Sequence, residues 1–329
     1  MITDEDVEFH TPSPDPMWAE TNYFGFEIPE AGAHIGLYSL FRPNLGIVNS
    51  AIFANSRYVP AQTQIDYWDH RAYLPMGDSK LSHFALPNGL EVKNLDPNRL
   101  WEIRFDNEWL KIDVEYRGLM SPYDIHDPSM DPLARDHGSD LASADLWKGG
   151  HFDMTGSVQG VVELLGRRYD VDWFLTMDHS WGVRQEHQPG TMTWLQAHFH
   201  RDLAVHAIFQ FDPTVPLSQP LDLTISHSYV MDKGEAVGVK AGTGRTIRDG
   251  LAQRELEIEL VDVRDRVWRL RGTAKTGFPA EYWPGSSSPM ALLEWTLDGQ
   301  TGYGTTTDFY DYSHYTGLYA GQSQLATVG

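Results

Sequence analysis

"LWEIRFDNEWLKIDVEYRG", residues 100–118, reads as a hairpin in two alternating halves. Trp101, Ile103 and Phe105 alternate with charged or polar residues, and beyond Asn107-Glu108 so do Leu110, Ile112, Val114 and Tyr116. Successive strand side chains point to opposite faces, so a period of two predicts an antiparallel pair with one buried face. "LEIELVDVRDRVWRLRGTA", residues 256–274, has the same form and turns near Arg264-Asp265. Both open on Glu-Ile, in "EIRF" and "EIEL", and both end in Arg-Gly, at Gly118 and Gly272. Those glycines lie 154 positions apart (272 minus 118) in a chain of 329 residues. An echo near half length suggests two consecutive all-β units. The boundary is expected near Gln188-Pro189-Gly190, giving domains 1–188 and 189–329.

Working outward, alternating runs recur in "GLYSLF", "GIVNSAIFA", "TWLQAHFHRDLAVHAIFQF" and "LDLTISHSYVM". The 29 Gly and 19 Pro punctuate the chain at short intervals, which favours many short strands over helices. Helical periodicity is scarce. The best helical stretch, Leu133 to Trp147, reads as a loop with one or two helical turns. "GSSSP" at 285–289 reads as an exposed loop.

Composition narrows the function classes. The hydrophobic fraction of 41% and charged fraction of 22% are those of a soluble globular protein. A net charge of -21 repels phosphate backbones and anionic membranes, which argues against nucleic-acid binding. With no Cys, disulfides, thiolate catalysis and Cys-ligated zinc are excluded. The acidic N-terminus lacks the apolar core of a secretory signal, and no stretch approaches the roughly 20 apolar residues of a membrane span. A cytoplasmic location is the expectation, with a monomer or homodimer as the assembly. No GxGxxG, P-loop, GxSxG or HExxH pattern occurs, so no cofactor is expected.

The densest chemistry lies in "WFLTMDHSWGVRQE", residues 173–186. Asp178 and His179, paired in an apolar setting, would each be shifted in pKa and exchange a proton near neutrality. Arg184 offers a rigid fork for an oxygen, and Trp181 a ring face for an unsaturated ligand. The plainer reading makes the stretch a polar turn, with Asp178 as its cap and Gly182 supplying unusual dihedrals. A second imidazole, His151, falls in "GGHFDMTG". His198, His200 and His206 form a possible metal-binding group. Whether they meet depends on the hairpin. A two-residue turn pairs His198 with Val205, and a three-residue loop pairs it with His206.

The run "DMTGSVQGVVELLGRRYDVDWFLTMDHSWGVR" (153–184), followed by "TWLQAHFHRDLAVHAIF" (193–209), resembles the tandem lipocalin-like superfamily of carotenoid 1,2-hydratases and AttH-like proteins. The matching element is Asp178-His179-Ser180-Trp181-Gly182-x-Arg184. The resemblance implies an all-β chain of two tandem lipocalin-like antiparallel β-barrels with an apolar ligand cavity. It also implies water addition to, or rearrangement of, a hydrophobic terpenoid, steroid or aromatic molecule. On this expectation the protein is a cofactor-independent lyase or isomerase. Asp178 is the acid or base and His179 its partner, while Arg184 and His151 orient. Trp181 and Trp194 are ring contacts, and Tyr303 and Asp308 reach the same cavity from the C-terminal half. Two other classes compete: a non-catalytic carrier of hydrophobic molecules, and a metal enzyme built on His198, His200 and His206.

Overall fold

The computed structural model describes residues 2–135, 149–184, 191–281, 283 and 285–317. The expected boundary at 188–190 and most of the segment Leu133–Trp147 lie outside the described residues. The chain is nearly all β. Its first eleven strands are β1 (Trp18–Ile28), β2 (Ala33–Arg42), β3 (Ile47–Asn55), β4 (Tyr67–Pro75), β5 (His83–Ala85), β6 (Leu90–Asp96), β7 (Leu100–Asp106), β8 (Leu110–Gly118), β9 (Tyr123–Asp124), β10 (Gly150–Leu164) and β11 (Arg167–Val183). They form one sheet in the order β4-β3-β2-β1-β11-β10-β8-β7-β6-β5, with β9 paired to β10. The other eight are β12 (Met192–His200), β13 (Leu203–Gln210), β14 (Leu221–Asp232), β15 (Glu235–Asp249), β16 (Ala252–Asp262), β17 (Val267–Ala280), β18 (Ser286–Leu297) and β19 (Gln300–Asp311). These close into an antiparallel barrel. The architecture is that of tandem lipocalin-like barrels.

The opening hairpin is β7 and β8. Trp101 faces Tyr116, Ile103 faces Val114 and Phe105 faces Ile112, and these side chains are buried while their neighbours are not. The second hairpin is β16 and β17, turning through Asp265 at φ 62°. Asp262 organises that turn by accepting from the Arg264 and Arg266 backbone N–H groups at 2.8 and 3.0 Å.

The first sheet curls on itself. Phe84 of β5 packs on Phe41 of β2 with ring centroids 5.0 Å apart, and Tyr67 of β4 meets Phe105 of β7 at 5.9 Å. Phe24 points into this curl against Trp101 and Tyr116. By alternation, Glu20 and Asn22 share the face of Phe24, while Thr21, Tyr23 and Glu27 look the other way, toward the barrel. Strands β1 and β2 are consequently buried on both faces. One apolar cluster spans both units, joining Phe24, Phe26 and Leu175 to Trp194, Ile208, Met290 and Phe309. A second cluster around Leu195, Leu256 and Trp295 fills the closed barrel.

Barrel closure relies on a close approach of β19 to β12. A Cβ at Gly304 would lie 2.1 Å from the Gln196 carbonyl oxygen. Gly304→Ala is therefore expected to lower stability by about 1–3 kcal/mol, the usual cost of overpacking. A urea midpoint unchanged from wild type would refute this.

"GSSSP" departs from its expectation. Ser286, Ser287 and Ser288 begin β18 and are buried, because β18 lies between β17 and β19 in the closed barrel. Small hydroxyl side chains suit both a loop and a crowded strand, so composition could not separate them. Among the described residues, no helix is long and apolar enough to cross a membrane.

Candidate functional site

The stretch 178–184 is no turn. Asp178 to Val183 lie in β11, hydrogen-bonded between β1 and β10. Gly182 does take an unusual backbone, at φ 142°. Because the stretch is extended, the motif divides by face. Asp178 pairs with Tyr23 on one side and Asp153 on the other, and Ser180 pairs with Thr21 and His151. These six residues form two adjacent rows on the face turned to the barrel. His179 and Trp181 occupy the opposite face.

The barrel-facing rows open on a cavity between the two units. From the first sheet it is lined by Thr21, Tyr23, Tyr38, His151 and Asp178, with Arg184 just beyond β11. The second unit contributes Met192, Trp194, Trp283, Met290, Thr307 and Phe309. The cavity holds about 50 Å³ of space open to the centre of a water molecule. That admits a few waters or the reacting end of a flat ligand, with the flexible Met192 and Met290 in its wall.

Asp178 is the unusual group here. Its Oδ1 is buried and has no hydrogen-bond partner among the described residues. Burial pushes its carboxyl up to about 6, against the opposing pull of the nearby His151. Arg184 donates to the Ser180 hydroxyl, and its guanidinium lies over the Trp283 ring at 5.1 Å. Ser180 is in turn 2.8 Å from the Thr21 hydroxyl. Behind the cavity wall, Asp153 accepts from His151 Nε2 at 2.9 Å and lies 3.1 Å from His206 Nε2 and 3.4 Å from Trp194 Nε1. Burial alone would raise the Asp153 carboxyl, but His206 and His151 outweigh it and hold it well below the ordinary range. The His151 imidazole is correspondingly raised: burial opposes its charge, and Asp153 overcomes that.

Of the eight expected site residues, the fold brings Asp178, His151, Arg184 and Trp194 to the cavity. His179 is not beside Asp178's carboxylate in the sense expected. Adjacent strand residues point apart, and His179 instead donates from Nδ1 to the Thr21 carbonyl at 2.7 Å. Its imidazole is pushed down to about 3 by burial. Trp181 stacks on His10 at 3.9 Å on that same far face. Tyr303 donates to Glu294 at 3.1 Å away from the cavity. Asp308 is buried and accepts from the Thr193 hydroxyl at 2.6 Å, but only its neighbours Thr307 and Phe309 line the cavity.

The three-histidine group does not assemble. His206 pairs with Gln196, and His198 pairs with Ala204 through a register shift that neither simple turn anticipates. His198 is bound up with Thr176 and Glu27, His206 with Asp153, and His200 is exposed. Sequence reasoning missed Tyr23, Tyr38, Asp153 and Trp283. Tyr23 lies in "AETNYFGFEI", which is buried on both faces, so nothing local shows which face meets the barrel.

A family model, described as a domain of unknown function (DUF7064), matches residues 3–310. The chain belongs to the DUF7064 family. No curated protein matches it. Among solved structures, CghA is similar in fold at 13% identity, with TM-score 0.55, covering 89% of this chain and 88% of that one. A putative AttH from Nitrosomonas europaea shows 11% identity, TM-score 0.53, and coverage of 89% and 92%. Kievitone hydratase from Nectria haematococca shows 10% identity, TM-score 0.50, and coverage of 89% and 88%. The DUF7064 chain thus shares its fold with the group the sequence resembles.

Proposed function

We propose that this protein is a lyase of the hydratase–dehydratase type, acting without a cofactor on a flat, hydrophobic small molecule at the cavity between the two units. The observation that carries this reading is the Asp178 carboxylate, whose Oδ1 is buried against aromatic and thioether walls with no hydrogen-bond partner among the described residues. A carboxylate oxygen left without a donor in such a place is costly to fold around, and a reacting ligand would supply the missing partner. A hydratase among the structural neighbours supports the same reading.

In the dehydration direction, Asp178 takes a proton from a substrate carbon. The C–H electron pair becomes the new π bond. The hydroxyl on the adjacent carbon departs with the C–O pair and receives that proton from Asp178, so the products are an alkene and water. Hydration is the reverse. Arg184 and the His151–Asp153 pair stabilise charge on the departing or entering oxygen. Tyr23, Trp194 and Phe309 line the cavity and would flank the reacting end of the ligand.

The test is incubation with a panel of apolar alkenes, β-hydroxy ketones and hydroxylated aromatics, read by mass spectrometry. Gain or loss of one water, catalytic in protein, is expected for at least one class. Saturable binding of a panel member without turnover would replace the lyase with a carrier.

A further inference from the structure

On the far face of β11, behind the cavity, lie three side chains absent from the chemistry above. They are His10, Glu20 and His179, whose ligand-capable atoms all fall within 4.8 Å of one another. Glu20 is fully buried and His179 is 1% exposed. His10 Nδ1 lies 3.1 Å from Glu20 Oε2, and His179 Nε2 lies 3.6 Å from the same oxygen. A tetrahedral ion with ligands at about 2.0–2.2 Å sets its donor atoms about 3.3–3.6 Å apart, so small rotations seat one here.

The far nitrogens fix the near ones. His179 Nδ1 is 2.7 Å from the Thr21 carbonyl, which can only accept, so Nδ1 carries the hydrogen and Nε2 presents a lone pair. That lone pair faces Glu20 and has no hydrogen-bond partner among the described residues. Two acceptors thus face one another in a buried place. His10 Nε2 is held 2.9 Å from the Asp6 carboxylate, an arrangement that turns Nδ1 inward and raises its basicity. The Trp181 ring stacks on His10 and lies 5.0 Å from His179, walling the site on one side. Glu20 Oε1 is separately engaged by the His10 backbone N–H at 2.7 Å, so Oε2 is the oxygen left to ligate.

We infer that His10, Glu20 and His179 form a binding site for a divalent transition-metal ion, with zinc as the best-fitting class. Two neutral imidazoles and one carboxylate suit zinc, and they leave a fourth position for water. His10 precedes β1, while Glu20 and His179 belong to the paired strands β1 and β11. The ion therefore clamps the N-terminal segment onto the strands that carry the cavity. The inference does not depend on the lyase reading.

The experiment uses the full chain, purified without a tag and stripped with chelator, and titrated with Co²⁺ and Zn²⁺. Expected are one Co²⁺ per chain with the visible absorption of a low-coordinate site, displacement by Zn²⁺, and a melting temperature raised by the metal. His10→Ala leaves the strands intact and is expected to abolish the spectrum and the thermal shift. Exposed His83→Ala is expected to change neither. If His10 instead sits as a cation between Asp6 and Glu20, no stoichiometric spectrum develops, and the inference fails. It fails equally if His10→Ala binds like wild type. Glu20→Gln, with its fold checked by near-UV circular dichroism, tests the buried ligand independently.

Discussion

Asp178→Asn is expected to cut turnover by about 10²–10⁴-fold, the usual worth of a positioned acid–base group. Asn fills the same volume and keeps one carbonyl oxygen, but it neither takes nor returns a proton. Its effect on ligand binding is expected to be much smaller, because Tyr23, Trp194 and Phe309 still line the cavity. Stability should hold or rise, since the buried Oδ1 has no partner among the described residues to lose. A structural carboxylate predicts the opposite pattern: a lowered melting temperature with full activity per folded molecule. Measuring both on one preparation separates the two, and unimpaired turnover would remove Asp178 from the chemistry.

Asp153→Ala is expected to cost about 3–5 kcal/mol, the usual penalty for removing one partner from a buried ion pair. Asp153 is fully buried and serves His151, His206 and the Trp194 indole together. Its loss leaves these buried polar groups without their shared acceptor. Denaturant unfolding measures the loss, and a change below about 1 kcal/mol would contradict it.

The same pair sets a pH dependence. The Asp153 carboxyl is lowered in the fold, so its contribution is present above the unfolded value of about 3.9 and lost as pH falls. The His151 imidazole is raised, so its contribution is present below about 6.5 and lost as pH rises through the folded value. The interaction is therefore strongest between about pH 4 and 6.5. Asp153→Asn should flatten the stability profile on both sides of that window. An unaltered profile would show that other groups govern it.

Legibility followed exposure. The hairpin at 100–118 could be read because one face is wet, so polar and apolar residues alternate in the sequence. β1 and the end of β11 are covered on both sides, so polar residues there sit on buried faces and the alternation disappears. That is why "DHSWGVR" passed equally for a turn. Half of the expected residues meet at the cavity because Asp178 and His151 share one face, Arg184 lies at its margin, and Trp194 reaches them from β12. The other half did not, because nearness along a strand is not nearness in space. His179 and Trp181 are neighbours of Asp178 in the chain and lie across the sheet from its carboxylate.

The sequence by itself determined the all-β class, the period-two hairpins, the absence of thiol chemistry and the segment where acid and imidazole concentrate. These depend on local sterics and composition, which a linear string contains. The tertiary structure alone decided which face of β11 meets the second unit, and so which polar residues share a cavity. It alone brought His10 from the N-terminal segment to Glu20 and His179, and scattered His198, His200 and His206. Those outcomes depend on strand order, register shifts and the packing of one sheet on another. They are set by sums of contacts between residues far apart in the chain, and no local pattern encodes them.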